Sequence, residues 1–110
     1  NCTKNTNILV IDWINKILEY GCSEILLTSF ENEGVMKGMD IPFLEKYSDK
    51  IKNSIIFGGG IGNLNHAYEA LKYSNVNAVS IGSLFPFTRF TPNDIKDYCN
   101  KKNIPVRLLK

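Results

Sequence analysis

The sequence lacks the features that mark several specialised classes of protein. It has no apolar run near the roughly 20 residues that a membrane-spanning helix needs, and no basic arm or RNA-binding aromatic motif. Its formal net charge is only +2. The three cysteines, Cys2, Cys22 and Cys99, are odd in number and widely separated, which predicts reduced thiols rather than disulfides or a C-x-x-C site. We therefore expect no membrane partner, no nucleic-acid partner and a cytoplasmic location.

Regularly spaced apolar residues predict that helices and strands alternate along the chain. The 110 residues are 44% hydrophobic and 22% charged, which suits a single unit over residues 1–110. The predicted helices cover residues 8–20, a segment capped by Asp40, residues 63–73 and a segment capped by Thr91, and the predicted strands cover 24–30, 54–57 and 78–81. This order predicts a parallel sheet, and the apolar strands predict burial on both of its faces.

The spacing of these elements also predicts a larger architecture. A strand-and-helix repeat of about 25 to 30 residues matches a (β/α)8 barrel, which usually needs about 250 residues. The 110 residues of this chain would then supply less than half of a barrel.

A glycine-rich loop joins the second predicted strand to the next helix. Gly58, Gly59, Gly60 and Gly62 lie between the apolar residues 54–57 and the helical pattern. Glycine permits positive φ and leaves backbone N–H groups uncovered, so that a phosphate can bind at the helix N-terminus. The spacing matches neither G-x-G-x-x-G nor a Walker loop. A tight turn without a ligand is the alternative.

Two groups of residues carry a resemblance to a known family. They are residues 21–29 with Glu33-Gly34, Lys37-Gly38 and Asp40, and then Ile55-Ile56, Gly59-Gly60, Gly62, His66, Glu69-Ala70, Gly82-Ser83, Phe85 and Val106-Arg107-Leu108. In this order they resemble the cyclase subunit of imidazole glycerol phosphate synthase, of histidine biosynthesis. The isomerase of the preceding step shares the outline, but the tail at residues 106–108 is similar to the cyclase.

The resemblance implies an α/β fold that is the C-terminal part of a (β/α)8 TIM barrel. The chain would hold the fifth helix and strands six to eight, without the first five strands. It also implies a lyase-type cyclisation, in which a glutaminase partner supplies ammonia for attack on a phosphorylated ribonucleotide substrate. The products would be imidazole glycerol phosphate and an aminoimidazole carboxamide ribotide. No metal or other cofactor is implied.

The same resemblance implies a set of site residues. Gly59, Gly60, Gly82, Ser83 and Gly34 are expected to bind a substrate phosphate, mostly through backbone N–H groups, although close packing of a strand and a helix is an alternative for Gly82. Glu33 and Thr28 are expected near the catalytic mouth. An exposed loop acid and a satisfied barrel hydroxyl are the alternatives for these two residues.

Three positions depart from the family pattern. The family usually has Ser at Gly58, Asp at Glu33 and often His at Pro86. These departures leave open a cyclase-like paralogue that delivers ammonia to a nucleotide-linked sugar in surface-sugar biosynthesis. A non-catalytic phosphate-binding or interaction remnant is a further alternative.

Three other residues are expected to have structural roles, and the two principal acids of the family are expected to be missing from this chain. His66, the only histidine, is expected to face outward, and Trp13 and Tyr20 are expected to be packing groups. The two acids that do the acid/base work in the family follow strands that this chain does not contain. We therefore expect the isolated 110 residues to be inactive, and the exposed barrel edges to favour self-association.

Overall fold

The structure, a computed structural model, describes residues 3–108. It contains helices α1 (Val10–Glu19), α2 (Ile41–Tyr47), α3 (Leu64–Leu71), α4 (Leu84–Phe87) and α5 (Pro92–Lys101), strands β1 (Glu24–Thr28), β2 (Ser54–Gly58) and β3 (Val76–Ser80), and a short 3₁₀ turn at Ser48–Lys50. The predicted alternation of helix and strand is confirmed. Among the described residues no helix combines the length and apolar character needed to cross a bilayer.

Short-range capping sets where the helices begin. The Asp40 carboxylate accepts a hydrogen bond of 3.1 Å from the Phe43 N–H, so α2 starts where the sequence predicted. Thr91 and Asp94 form a complete capping box at the start of α5, in which each side chain accepts from the other residue's N–H. These bonds to Thr91 lower the pKa of the Asp94 carboxyl.

Helix α4 is an element that the sequence pattern did not indicate. It is one turn long, starts after Ser83 and contains Pro86. The buried Leu84 fixes it against the core. A four-residue helix is too short to show a 3.6-residue period in the sequence, so tertiary packing determines whether it forms.

The three strands form a parallel sheet in the order β1-β2-β3, which confirms the predicted parallel pairing. On one face, Ile25, Ile55 and Phe57 are buried in a core shared with Leu44 of α2 and Ala67 of α3. The prediction of burial on both faces is wrong for residues 3–108. On the opposite face Leu26 is 64% exposed.

Three cross-strand rows make up this open face. The row nearest the N-terminal ends of the strands is polar: the Ser54 hydroxyl donates to a Glu24 carboxylate oxygen at 3.0 Å, and the Asn77 amide donates to the Ser54 hydroxyl at 2.8 Å. The middle row is apolar and consists of Leu26, Ile56 and Ala78. The last row consists of Thr28, Gly58 and Ser80. The open face is therefore neither a solvated polar surface nor a sealed core.

Two aromatic residues differ from their expected packing roles. Trp13 on α1 is 49% exposed and Tyr20, just after that helix, is 79% exposed. Helix α1 buries Ile14 instead. The exposed face of α1 carries Lys16, whose ammonium lies 5.8 Å from the Trp13 ring centre, a cation–π contact at the surface.

Candidate functional site

Three loops meet at one edge of the sheet, because the C-terminal ends of parallel strands lie side by side. Together they form a small concave site, here called the loop hollow, lined by Glu33, Gly34, Met36, Gly59, Gly60, Ile61, Ser80, Gly82 and Ser83. The structure thus brings together Glu33 and all five residues expected at a phosphate. The free space inside is about 10 Å³, roughly the space of one water molecule.

The glycines of the second loop are needed for loop packing. Gly59 and Gly60 have φ of +98° and +91°, values that residues other than glycine rarely adopt. A methyl group on Gly60 would overlap the carbonyl oxygen of Gly38, and one on Gly59 would lie 2.7 Å from the carbonyl oxygen of Ser29. The loop after β2 therefore lies directly against the loop after β1. Sequence reasoning did not foresee the part played by Gly38, because its partner is distant along the chain.

Backbone donors surround the hollow. Among residues 3–108, the N–H groups of Gly34, Gly59, Gly60, Gly82 and Ser83 donate to no protein acceptor. Buried N–H groups are nearly always paired in folded proteins, and Gly59 and Gly60 are buried residues. The five donors belong to residues that line the hollow, and arrays of backbone N–H groups can bind anions. The described residues that line the hollow include no Lys or Arg, so the attraction comes from backbone dipoles.

Glu33 extends its carboxylate between two of these loops. A methyl group placed on Gly59 would lie 3.5 Å from one carboxylate oxygen of Glu33, and one placed on Gly82 would lie 3.7 Å from the other. The Glu33 N–H donates to the Ser29 carbonyl oxygen at 3.0 Å, which fixes the backbone from which the side chain extends. The residue as a whole is exposed. Its carboxylate therefore reaches the hollow from the solvent side.

Thr28 lies apart from the hollow. It ends β1 on the open face of the sheet, where it pairs in register with Gly58. A methyl group on Gly58 would lie 3.3 Å from the Thr28 hydroxyl oxygen. The structure therefore places Thr28 among the residues of the open face rather than beside the glycine N–H groups.

His66 holds the glycine loop in place, so the expectation that it faces outward is wrong. It is half-buried, and its ring nitrogen Nδ1 accepts a hydrogen bond of 3.1 Å from the Gly62 N–H. The backbone N–H of His66 donates a hydrogen bond of 3.0 Å to the side chain of Asn63, the residue that caps α3. A side chain in the first helical turn can bend back onto the preceding loop, and the four-residue spacing from Gly62 was the available signal.

Comparison with known proteins assigns the family. Residues 1–91 match the model of a family described as "Histidine biosynthesis protein". The chain belongs to this histidine biosynthesis family. The resemblance to the cyclase subunit, stated above from the sequence, is also confirmed. Over 105 residues the chain is 37% identical to the imidazole glycerol phosphate synthase subunit HisF of Methanosarcina mazei, covering 96% of this chain and 38% of that protein.

Two further relatives carry the same printed name. The chain is 37% identical over 106 residues to the HisF subunit of Methanocaldococcus jannaschii, covering 96% of this chain and 39% of the relative. It is 38% identical over 104 residues to that of Prochlorococcus marinus strain NATL1A, covering 94% and 41%. The chain thus spans about two fifths of the length of these curated relatives.

Proposed function

We propose that these residues form strands six to eight of a (β/α)8 cyclase barrel and that the loop hollow binds a phosphate of the substrate. The observation that carries the proposal is a set of five N–H donors, on three successive loops, that have no acceptor within the described part of the chain. The C-terminal edge of a parallel barrel is where such enzymes hold phosphate. The similarity to HisF subunits supports the same assignment.

The open face and the two outer strands support a larger barrel. Leu26 lies in an apolar row flanked by polar rows, and both β1 and β3 have one unpaired edge within the described residues. In a closed barrel this face would point inward and both edges would be paired. The isolated chain would instead be expected to cover the face by self-association.

The proposed reaction is the cyclisation implied by the family. Ammonia from a glutaminase subunit attacks the ribonucleotide, the bond to the aminoimidazole carboxamide ribotide breaks so that this ribotide leaves as one product, and the imidazole ring of imidazole glycerol phosphate closes with loss of water. The residues described here would contribute orientation: the loop N–H groups hold one phosphate and fix the substrate against the barrel mouth. Glu33 and Thr28 stay candidates for contact with the reacting end, and the principal acids would come from elsewhere. We place the enzyme in the cytoplasm.

Substitution of Gly82 by Ala in the full-length enzyme tests the phosphate site. The added methyl group would lie 3.7 Å from a Glu33 carboxylate oxygen, an ordinary contact, so the fold tolerates it while the anion's space is reduced. We expect KM for the phosphorylated substrate to rise about tenfold, because the methyl group crowds the bound phosphate and lengthens its hydrogen bonds to the loop. The matched control is Ser74→Ala, at an exposed turn before β3.

The outcomes separate the possible functions. An unchanged KM in Gly82→Ala would contradict the binding of phosphate in the hollow. Phosphate binding without ammonia-dependent turnover in the full-length protein would favour the non-catalytic alternative. Turnover by the 110-residue chain alone would contradict the expectation that its acids lie elsewhere.

A further inference from the structure

The Glu33 carboxylate lies in the loop hollow between two of its loops, although among the described residues none of the loop N–H groups donates a hydrogen bond to it. One of its oxygens faces Gly59 and the other faces Gly82, at 3.5 Å and 3.7 Å from the positions of added methyl groups. These two glycines belong to different loops, so the carboxylate spans the hollow rather than resting on one side of it. The remaining space of about 10 Å³ is too small for a phosphate beside it.

We infer that Glu33 is a built-in competitor that sets the affinity of the loop hollow for phosphate. This inference rests on the proposed phosphate site. A carboxylate tethered beside a set of free N–H groups has a high effective concentration there. Phosphate can bind only when this side chain moves out, and the displaced carboxylate then stays close enough to repel it.

The structure also indicates that the side chain can leave. Glu33 is exposed, so its side chain already borders solvent and its carboxylate stays hydrated when it swings out. Its backbone is fixed independently by the bond from its N–H to Ser29. Displacement therefore needs rotation of one side chain and no rearrangement of the loop. Glu33 acts on specificity as well, because a weakly charged ligand would displace it less readily than a phosphate dianion.

Three substitutions in the full-length protein separate the effects of where the carboxylate lies, of its charge and of the length of its side chain. Glu33→Gln removes the charge at nearly constant shape. Glu33→Asp keeps the charge and withdraws it by one methylene. Glu31→Gln is the matched control, since it removes the same charge from an exposed position two residues earlier in the same loop. The probe is inorganic phosphate, followed through the amide signals of protein labelled with ¹⁵N-glycine.

We expect Glu33→Gln to tighten phosphate binding about five- to tenfold, and Glu33→Asp to tighten it by less. Glu31→Gln should change the dissociation constant less than about twofold, because longer-range charge effects are screened. In phosphate-free buffer, Glu33→Gln should also shift the amide signals of Gly59 and Gly82.

Two results would overturn the inference while leaving the phosphate site in place. In one, phosphate binds the wild-type protein and Glu33→Gln equally well. In the other, Glu31→Gln tightens binding as much as Glu33→Gln does. If the glycine signals respond to phosphate in no variant, the proposed phosphate site fails as well, and the inference falls with it.

Discussion

The Gly38 N–H donates a 2.9 Å hydrogen bond to the Gly60 carbonyl oxygen, which joins the loop after β1 to the loop after β2. The two backbones are so close that any side chain on Gly60 would overlap Gly38. This contact places Glu33 and Gly34 on the first loop beside the free N–H groups of Gly59 and Gly60 on the second. The geometry of the hollow therefore depends on a backbone contact between two glycines.

Replacing Gly60 by Ala should destabilise the protein strongly, because it adds both backbone strain and a clash with the Gly38 carbonyl. We expect a loss of about 3 kcal/mol in the free energy of unfolding, measured by urea denaturation. Gly21→Ala is the control: Gly21 also has a positive φ of +84°, but an added methyl would meet nothing within 4 Å. Gly21→Ala should lower the free energy of unfolding only through backbone strain, by about 1 kcal/mol. Equal losses in the two variants would contradict a role for the loop contact.

The capping box at α5 should contribute stability that depends on pH. Thr91→Ala removes the hydroxyl that accepts from the Asp94 N–H and should cost about 1 kcal/mol near neutral pH. Because the folded-state pKa of Asp94 lies below its ordinary value of 3.8, its stabilising effect is full above that value and disappears as the pH falls through the folded-state pKa.

Unfolding measured from pH 7 to pH 2 checks this prediction. Asp94→Asn should reduce the acid sensitivity of α5, whereas Asp97→Asn, an exposed position on the same helix, should leave it unchanged. A pH profile that Asp94→Asn does not alter would argue against the capping box as its source.

His66→Ala should loosen the glycine loop, because the Gly62 N–H loses its acceptor at Nδ1. An unsatisfied donor of this kind costs about 1–3 kcal/mol when it stays buried. Hydrogen exchange gives the specific readout, and we expect the Gly62 amide to exchange at least tenfold faster. Lys72→Ala, at an exposed position just after α3, should leave Gly62 exchange as it is.

The open face should drive self-association of the 110-residue chain. Leu26 is 64% exposed at the centre of the apolar row, so Leu26→Asn should lower the association seen by sedimentation velocity. Tyr20→Asn is the matched control, since Tyr20 is 79% exposed but lies away from the sheet. A wild-type chain that sediments as a clean monomer would contradict the prediction.

The sequence predicted the alternation of elements well because local signals determine it. Asp40, Asn63 and Thr91 cap helices through bonds to residues three positions away, and such bonds are readable from spacing. The five expected phosphate residues also proved to share one hollow, since the ends of parallel strands must lie together. The contacts between loops were harder to foresee. The roles of Gly38 and His66 depend on tertiary approach, and the burial of one sheet face depends on what covers it.

The polar row of Glu24, Ser54 and Asn77 has a consequence for how the strands align. Its two hydrogen bonds tie all three strands at their N-terminal ends, at the opposite end from the hollow. If β1 slipped by one residue, Glu24 would lose its hydrogen bond from Ser54, and Leu26 would exchange faces with the buried Ile25. The row thus fixes the register of a sheet whose two outer strands each have an unpaired edge within residues 3–108, and with it the alignment of the three loops that form the hollow.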